Sequence, residues 1–180
     1  MSGRLVAVVG PSGAGKDTLM EAARARLAGD PRFTFLRRVI TRPADAGGED
    51  HLAVSEEEFE ALRGAGGLAL SWEAHGLRYG LPRPALDEAL AEGKVAVANL
   101  SRQALEEAAV SYPLQVVEIT APVQLRAERL AARGRETVED VARRLARQAP
   151  FPSGLPVATV LNDGPVEQGV ERVLAVLMAA

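Results

Sequence analysis

The 180-residue chain contains no cysteine, which excludes disulfides and thiolate metal sites and fits a reducing compartment. No segment combines a basic n-region, a long apolar stretch and a cleavage site, so a cytoplasmic protein with no membrane partner is expected. An excess of positive charge is missing too. With 21 Lys+Arg against 24 Asp+Glu the formal net charge is -3, which gives no long-range pull toward nucleic acid. Any basic site must therefore be local. Lysine itself is scarce, since nineteen of the twenty-one basic residues are arginine, and arginine's planar fork suits bidentate contact with phosphate oxygens. Linkers, repeats and low-complexity segments are absent as well. What remains is 47% hydrophobic and 25% charged, the composition of a globular protein. A chain of this size buries roughly 70% of its unfolded surface, so one domain is expected.

The valine-rich run at 4–10 predicts a strand buried on both faces, and "KDTLMEAARARLAG" predicts a helix closed by Gly29. A strand is expected over 33–43, then a loop rich in glycine and acids. Ser55 and Glu58 form a capping box ahead of a helix. Residues 67–82 predict short strands with a turn at His75 and Gly76, followed by a helix with Pro84 in its first turn. Further buried strands are expected at 94–100, 114–120 and 157–162. Two helical stretches broken near Gly134 precede the last of these, and a C-terminal helix follows it. Strands alternating with helices predict a doubly wound, three-layer α/β fold with a parallel central sheet.

Between the first strand and helix, Gly10, Gly15 and Lys16 satisfy G-x-x-x-x-G-K. Glycines let backbone N–H groups curl around phosphate oxygens, the helix N-terminus adds donors, and lysine reaches the β and γ phosphates. The nucleotide-binding candidates are Gly10, Pro11, Ser12, Gly13, Ala14, Gly15, Lys16, Asp17 and Thr18. Asp17 stands where a hydroxyl usually meets Mg²⁺. It either ligates the metal as a hard carboxylate or merely complements the helix dipole. The first is favoured because strand 94–100 ends on Asn99, with no acid there to help hold the metal's water.

The segments "GPSGAGKDTL", "TRPADAG", "VSEEEFEAL", "SWEAHGLRYG", "ALAEGK", "RLAARGRE" with "ARRLAR", and "LNDG" resemble, in this order and spacing, the guanylate kinase group of P-loop kinases. That resemblance implies a core sheet, an acceptor-binding subdomain at about 34–90 and an arginine-bearing lid at about 122–148. It also implies that Arg42 and Tyr79 hold an acceptor phosphate. His51 stands where a tyrosine is usual, Asp45 at or near a second arginine, and Ser71, Leu81 and Asn99 at base-reading positions. A purine edge left without partners costs about 1 to 3 kcal/mol per group, so this pocket should not select GMP. With "GKD", "ITR" and "NLSR", the pattern is similar to the phosphonate-pathway branch of the group, which phosphorylates ribose 1,5-bisphosphate to 5-phosphoribosyl 1-diphosphate. The resemblance implies ATP and Mg²⁺ as cofactors and a small sugar phosphate as partner. A homodimer stays open, as does a nucleoside monophosphate kinase of altered base specificity.

A phosphate acceptor is largely dianionic at pH 7 and needs no general base, so His51, Glu73 and His75 are not expected to serve as one. Catalysis should come from alignment and charge neutralisation. Arg126, Arg129 and Arg133 fall at helical spacing on one face, with Arg135, Arg143, Arg144 and Arg147 following. Arg129, Arg133 and Arg144 are the chosen phosphate-binding arginines. Arg42 is assigned to the acceptor phosphate in preference to a surface ion pair with Asp45 or Glu49. His51 contacts the sugar phosphate or is simply exposed. Tyr79 donates its hydroxyl to a phosphate or packs under Trp72, the former preferred. Asn99, Ser101 and Arg102, past the C-terminal end of a strand, are candidates for ribose hydroxyls, and Asn162 and Asp163 for the adenine side.

Overall fold

The computed structural model describes residues 2–45, 49–134, 137–145, 151 and 154–180, with the backbone alone at 143–145. Five strands form a parallel sheet: β1 (Arg4–Val9), β2 (Phe33–Phe35), β7 (Val95–Asn99), β8 (Leu114–Thr120) and β9 (Val157–Leu161), in the order β2-β7-β1-β8-β9. β1 is buried at every position after Arg4, as expected of a strand covered on both faces. A second, four-stranded sheet has the order β4-β3-β6-β5 and is built from β3 (Val39–Ile40), β4 (Leu52–Ala53), β5 (Leu68–Ala74) and β6 (Leu77–Pro82).

The chain divides into two compact units, Met1–Ala7 with Leu27–Gln115, and Val8–Arg26 with Val116–Ala180. The first holds the four-stranded sheet, α2 (Glu56–Gly64), α3 (Arg83–Ala91), a 3-10 turn (Arg102–Ala104) and α4 (Leu105–Ser111). β5 and β6 pair antiparallel, with Trp72 opposite Tyr79. His75 (φ 54°) and Gly76 (φ 73°) make the tight connection between them, both in the left-handed region that a two-residue hairpin turn demands. The capping box of α2 is complete: Glu58 N–H donates to Ser55 Oγ at 3.0 Å, and Ser55 N–H to the Glu58 carboxylate at 3.2 Å. Phe59 of this helix packs with Val39, Leu68 and Val54 to close the small core over the sheet.

The second unit holds α1 (Lys16–Arg26), α5 (Val123–Ala131), α6 (Val138–Leu145) and α7 (Val166–Met178). α5 and α6 are the two expected helical stretches, packed through Ala127 and Val141 with Leu130, Val138 and Ala142 around them. α7 meets α1 at Gly169, where an added Cβ would lie 2.9 Å from the Leu19 side chain.

Two expectations are corrected. The run 33–43 is not one strand. After β2 the Leu36 N–H still reaches the Val97 carbonyl at 2.9 Å, and the chain then leaves the parallel sheet to form β3, antiparallel to β6 and parallel to β4. An apolar run carries no mark of which sheet its ends join. α1 also stops at Arg26, three residues before Gly29, and the Asp30 N–H bonds to the Leu27 carbonyl in the turn that follows.

Candidate active site

In the second unit, the loop from Gly10 to Lys16 carries β1 into α1. Gly13 and Gly15 have φ of 82° and 81°, a conformation open to glycine at little cost. Crowding adds to the requirement. A Cβ on Gly10 would lie 2.5 Å from the Ile119 carbonyl oxygen, on Gly13 2.7 Å from the Arg126 carbonyl oxygen, and on Gly15 2.5 Å from Asn162 Nδ2. The backbone is thus pressed against its supports on one side, while Ser12, Asp17 and Thr18 are exposed and Lys16 is half-buried.

Two side chains lock this loop. Asn162, 7% exposed at the end of β9, donates from Nδ2 to the Ala14 carbonyl at 2.8 Å. Arg129 of α5 donates from Nη1 to the Gly13 carbonyl and from Nη2 to the Asn162 carbonyl, both at 3.0 Å. The expected adenine-side residue thus has a loop-holding contact, and the expected phosphate arginine spends at least two of its five donors on backbone. Asp163 pairs with Arg172 at 3.3 Å. The arginine face proposed for this helix does not persist. Arg126 is buried at 1% exposure, Arg129 is half-buried, and Arg133 is exposed beyond the helix end at Ala131. Arg144 lies in α6 but its side chain, like that of Arg143, is outside the described residues, as are Arg135 and Arg147 altogether.

Replacing Arg129 separates loop-holding from direct catalysis. Arg129→Ala removes two charge-assisted bonds of roughly 1.5 to 3 kcal/mol each, so denaturant unfolding should show a loss of about 3 kcal/mol alongside a raised KM for ATP. Lowered turnover with unchanged stability would instead mark a residue that acts on phosphate alone.

In the first unit, Arg42 and His51 come together. His51 is 4% exposed, neither the exposed residue nor the evident phosphate contact expected. Its Nε2 lies 2.9 Å from the Arg42 carbonyl and its Nδ1 3.0 Å from the Glu49 carbonyl, and whichever nitrogen carries the proton donates to the carbonyl it faces. Arg42 Nη2 approaches His51 Nδ1 at 3.5 Å, and Arg42 Nε is buried with no hydrogen-bond partner among the described residues. A buried donor left unpaired costs about 1 to 3 kcal/mol, and an incoming anion would recover it. Asp45 is exposed, and Glu49, considered above as a partner for Arg42, pairs with Arg38 instead.

Tyr79 is 7% exposed and its ring stacks on Trp72, with centroids 5.7 Å apart and planes within 7°. Ring packing is therefore real, whatever its hydroxyl does. The Arg38 guanidinium sits 4.7 Å from the Tyr79 centroid and 6.0 Å from that of Trp72. Sequence reasoning missed Arg38 and its pairing with Glu49. The available signal was Arg38 two residues before Ile40, on the face that Ile40 shares with Tyr79. Leu81 is fully buried, so the position where a base-reading serine would stand offers no polar group. Asn99 is 6% exposed at the C-terminal end of β7, and Ser101 and Arg102, both half-buried, follow it.

At 51% identity over 166 residues, the chain matches the ribose 1,5-bisphosphate phosphokinase of Brucella melitensis across 91% of its own length and 86% of that protein. The chain belongs to the ribose 1,5-bisphosphate phosphokinase family. The corresponding enzyme of Methylobacterium radiotolerans is 49% identical over 180 residues, covering 99% of both chains. A bifunctional ribose 1,5-bisphosphokinase-thymidine phosphorylase of Azorhizobium caulinodans is 50% identical over 99% of this chain, which spans only 26% of that longer protein. A scan against protein-family models finds no match. Among solved structures, guanylate kinase from Anaplasma phagocytophilum superimposes with a TM-score of 0.73 at 18% identity, covering 99% of this chain and 86% of that one. The fold expected of a guanylate kinase-like P-loop kinase is thereby borne out. No helix among the described residues is long and apolar enough to cross a membrane.

Proposed function

We propose that this kinase transfers the γ-phosphoryl group of ATP to the C1 phosphate of ribose 1,5-bisphosphate, giving 5-phosphoribosyl 1-diphosphate and ADP. The carrying observation is the pairing of an intact phosphate loop with an acceptor side that keeps a buried, unsatisfied Arg42 donor but offers the fully buried Leu81 at a base-reading position. The names of relatives near 50% identity support the same reading. An oxygen of the C1 phosphate attacks the γ-phosphorus, the bond from that phosphorus to the β-bridging oxygen breaks, and ADP leaves with the electron pair. No proton need be removed from a dianionic acceptor.

In this reading the chain is one kinase domain, with residues 34–90 forming the acceptor subdomain and 122–148 the lid. Loop N–H groups and Lys16 hold the β and γ phosphates, while Arg129 and Asn162 keep the loop in shape. Arg42 takes the acceptor phosphate, with His51 fixing its loop. Asn99, Ser101 and Arg102 line the ribose, and Arg133 and Arg144 offset developing charge. Mg²⁺ keeps several waters and takes one or two carboxylates plus substrate phosphates. Asp17, exposed in the first turn of α1, supplies one such carboxylate, and no cluster of three or more metal-ligating side chains exists among the described residues. The residues fit a metal held mainly by nucleotide and water, which would neutralise phosphate charge. Asp17→Ser should raise the Mg²⁺ concentration for half-maximal rate several-fold, and an unchanged titration returns Asp17 to complementing the helix dipole.

The deciding experiment is ATP-dependent turnover on ribose 1,5-bisphosphate and on GMP, with products read by phosphorus NMR. A new diphosphate at the ribose C1 position supports the proposal. GDP in its place would make the chain a nucleoside monophosphate kinase.

A further inference from the structure

A bisphosphate acceptor presents two anionic groups, one that reacts and one that does not. The first unit must therefore offer a second cationic subsite besides Arg42. Besides Arg4 and Arg102, its other arginines are paired: Arg32 to Asp30 at 2.6 Å, Arg37 to Asp50 at 2.9 Å, Arg63 to Glu60 at 2.7 Å, Arg78 to Glu60 and Glu73, and Arg83 to the Gly66 and Leu68 carbonyls. Arg38 is different in kind. Its side chain is 11% exposed and that of Glu49 19%, an ion pair largely withdrawn from water, and such a pair is weak evidence of a purely stabilising role.

We infer that Arg38 reads the non-reacting 5-phosphate of the acceptor and is the specificity determinant that makes this site select a sugar bisphosphate; the inference rests on the function proposed above. Three observations place it. Ile40 lies opposite Tyr79 in the β3–β6 register, and Arg38, two residues earlier, falls on the same face. The guanidinium accordingly sits over the stacked Tyr79 and Trp72 rings, which support it, since arginine packs well on aromatic faces. Arg42 follows two residues beyond Ile40, so the two cations bracket one short strand. The bond to Glu49 engages Nε at 3.0 Å and Nη2. The outer Nη1 edge, with two N–H donors, lies outside that fork and can take a second acceptor without breaking the pair.

Chemically, an arginine stacked on the Trp72–Tyr79 platform also occupies space that a nucleobase would use, because bases stack on aromatic faces in the same way. The same residue would then attract a phosphate and exclude a base. This makes the aromatic pair a support for the cation rather than a base-binding surface.

The test is a cycle between substrate and protein. Wild type and Arg38→Ala are assayed with ATP on ribose 1,5-bisphosphate and on ribose 1-phosphate, which lacks only the 5-phosphate. Thermal unfolding is monitored in parallel. A charge-assisted contact predicts that wild type prefers the bisphosphate by roughly ten- to a hundredfold in kcat/KM, and that this ratio collapses toward one in Arg38→Ala through KM rather than kcat. Arg38→Lys should retain part of the ratio. Glu49→Gln, which frees the fork, should raise it and covers the case in which Arg38→Ala fails to fold. Equal loss on both acceptors would mean a structural role, and a wild-type ratio near one would mean that the 5-phosphate is not read; either overturns the inference. Wild type inactive on both acceptors would overturn the proposed function instead.

Discussion

Lys16→Met is expected to lower ATP-dependent turnover by about 10³-fold or more while leaving the cooperative unfolding transition nearly where it was. Lys16 opens α1 and is half-buried. Its Cδ comes within 3.5 Å of the position a Cβ on Gly10 would take, so the stem lies back along the loop. Methionine keeps most of that stem and its packing but removes the charge. In phosphoryl transfer, catalysis is almost wholly positioning and charge stabilisation, so the missing charge has no substitute on the same loop. Methionine can fill the same half-buried space at this helix start, and a loss of more than about 1 kcal/mol is not expected. The readouts are coupled ADP release and thermal unfolding by circular dichroism. A variant within tenfold of wild type would remove the loop from the active site.

The donor half of the site is legible in the sequence because its requirements are backbone requirements. Glycines at 10, 13 and 15 are demanded by positive φ or by carbonyls within 2.7 Å of an absent Cβ, and such demands leave a local trace. The hairpin turn at His75–Gly76 and the Ser55–Glu58 cap are legible for the same reason. What holds the loop is less so. Arg129 and Asn162 reach it from 116 and 148 residues away, and helical spacing alone placed Arg129 with Arg133 rather than against Gly13. On the acceptor side, the Arg38–Glu49 pair spans 11 residues and forms where β4 pairs with β3, Val39 opposite Leu52, after the chain has left the parallel sheet. Residues 33–43, taken as a single strand, hid that turn. Of the two readings of His51, exposure fails: a loop histidine between an acid and a leucine suggests solvent, whereas its ring nitrogens lie against two backbone carbonyls at 4% exposure.

Gly13→Ala should be the most damaging small substitution in the loop, and Gly29→Ala a neutral one. At Gly13 an alanine meets two penalties. Its φ of 82° costs an L-residue about 1 to 2 kcal/mol, and its Cβ would stand 2.7 Å from the Arg126 carbonyl oxygen and 3.1 Å from the Arg126 Cα and Cβ. That obstacle is backbone of a buried helical residue and cannot swing aside, so the loop itself must move. Moving it breaks the 3.0 Å bond from Arg129 to the Gly13 carbonyl. Together these predict about 3 kcal/mol or more of lost stability and at least a roughly hundredfold fall in ATP turnover, since misplacement by about 1 Å is enough for that. Gly15→Ala shares the positive φ, but its obstacle is the Asn162 amide, a side chain that can rotate once its bond to Ala14 is given up. Its stability loss should therefore be smaller, with catalysis still impaired. At Gly29 nothing lies within 4 Å of an added Cβ, and a change within about 0.5 kcal/mol is expected. Denaturant midpoints for the three variants, measured beside ADP release, test the ordering. Equal stability of Gly13→Ala and Gly29→Ala would mean that the loop is not pressed against α5, and the account of how its N–H groups are aimed would fail with it.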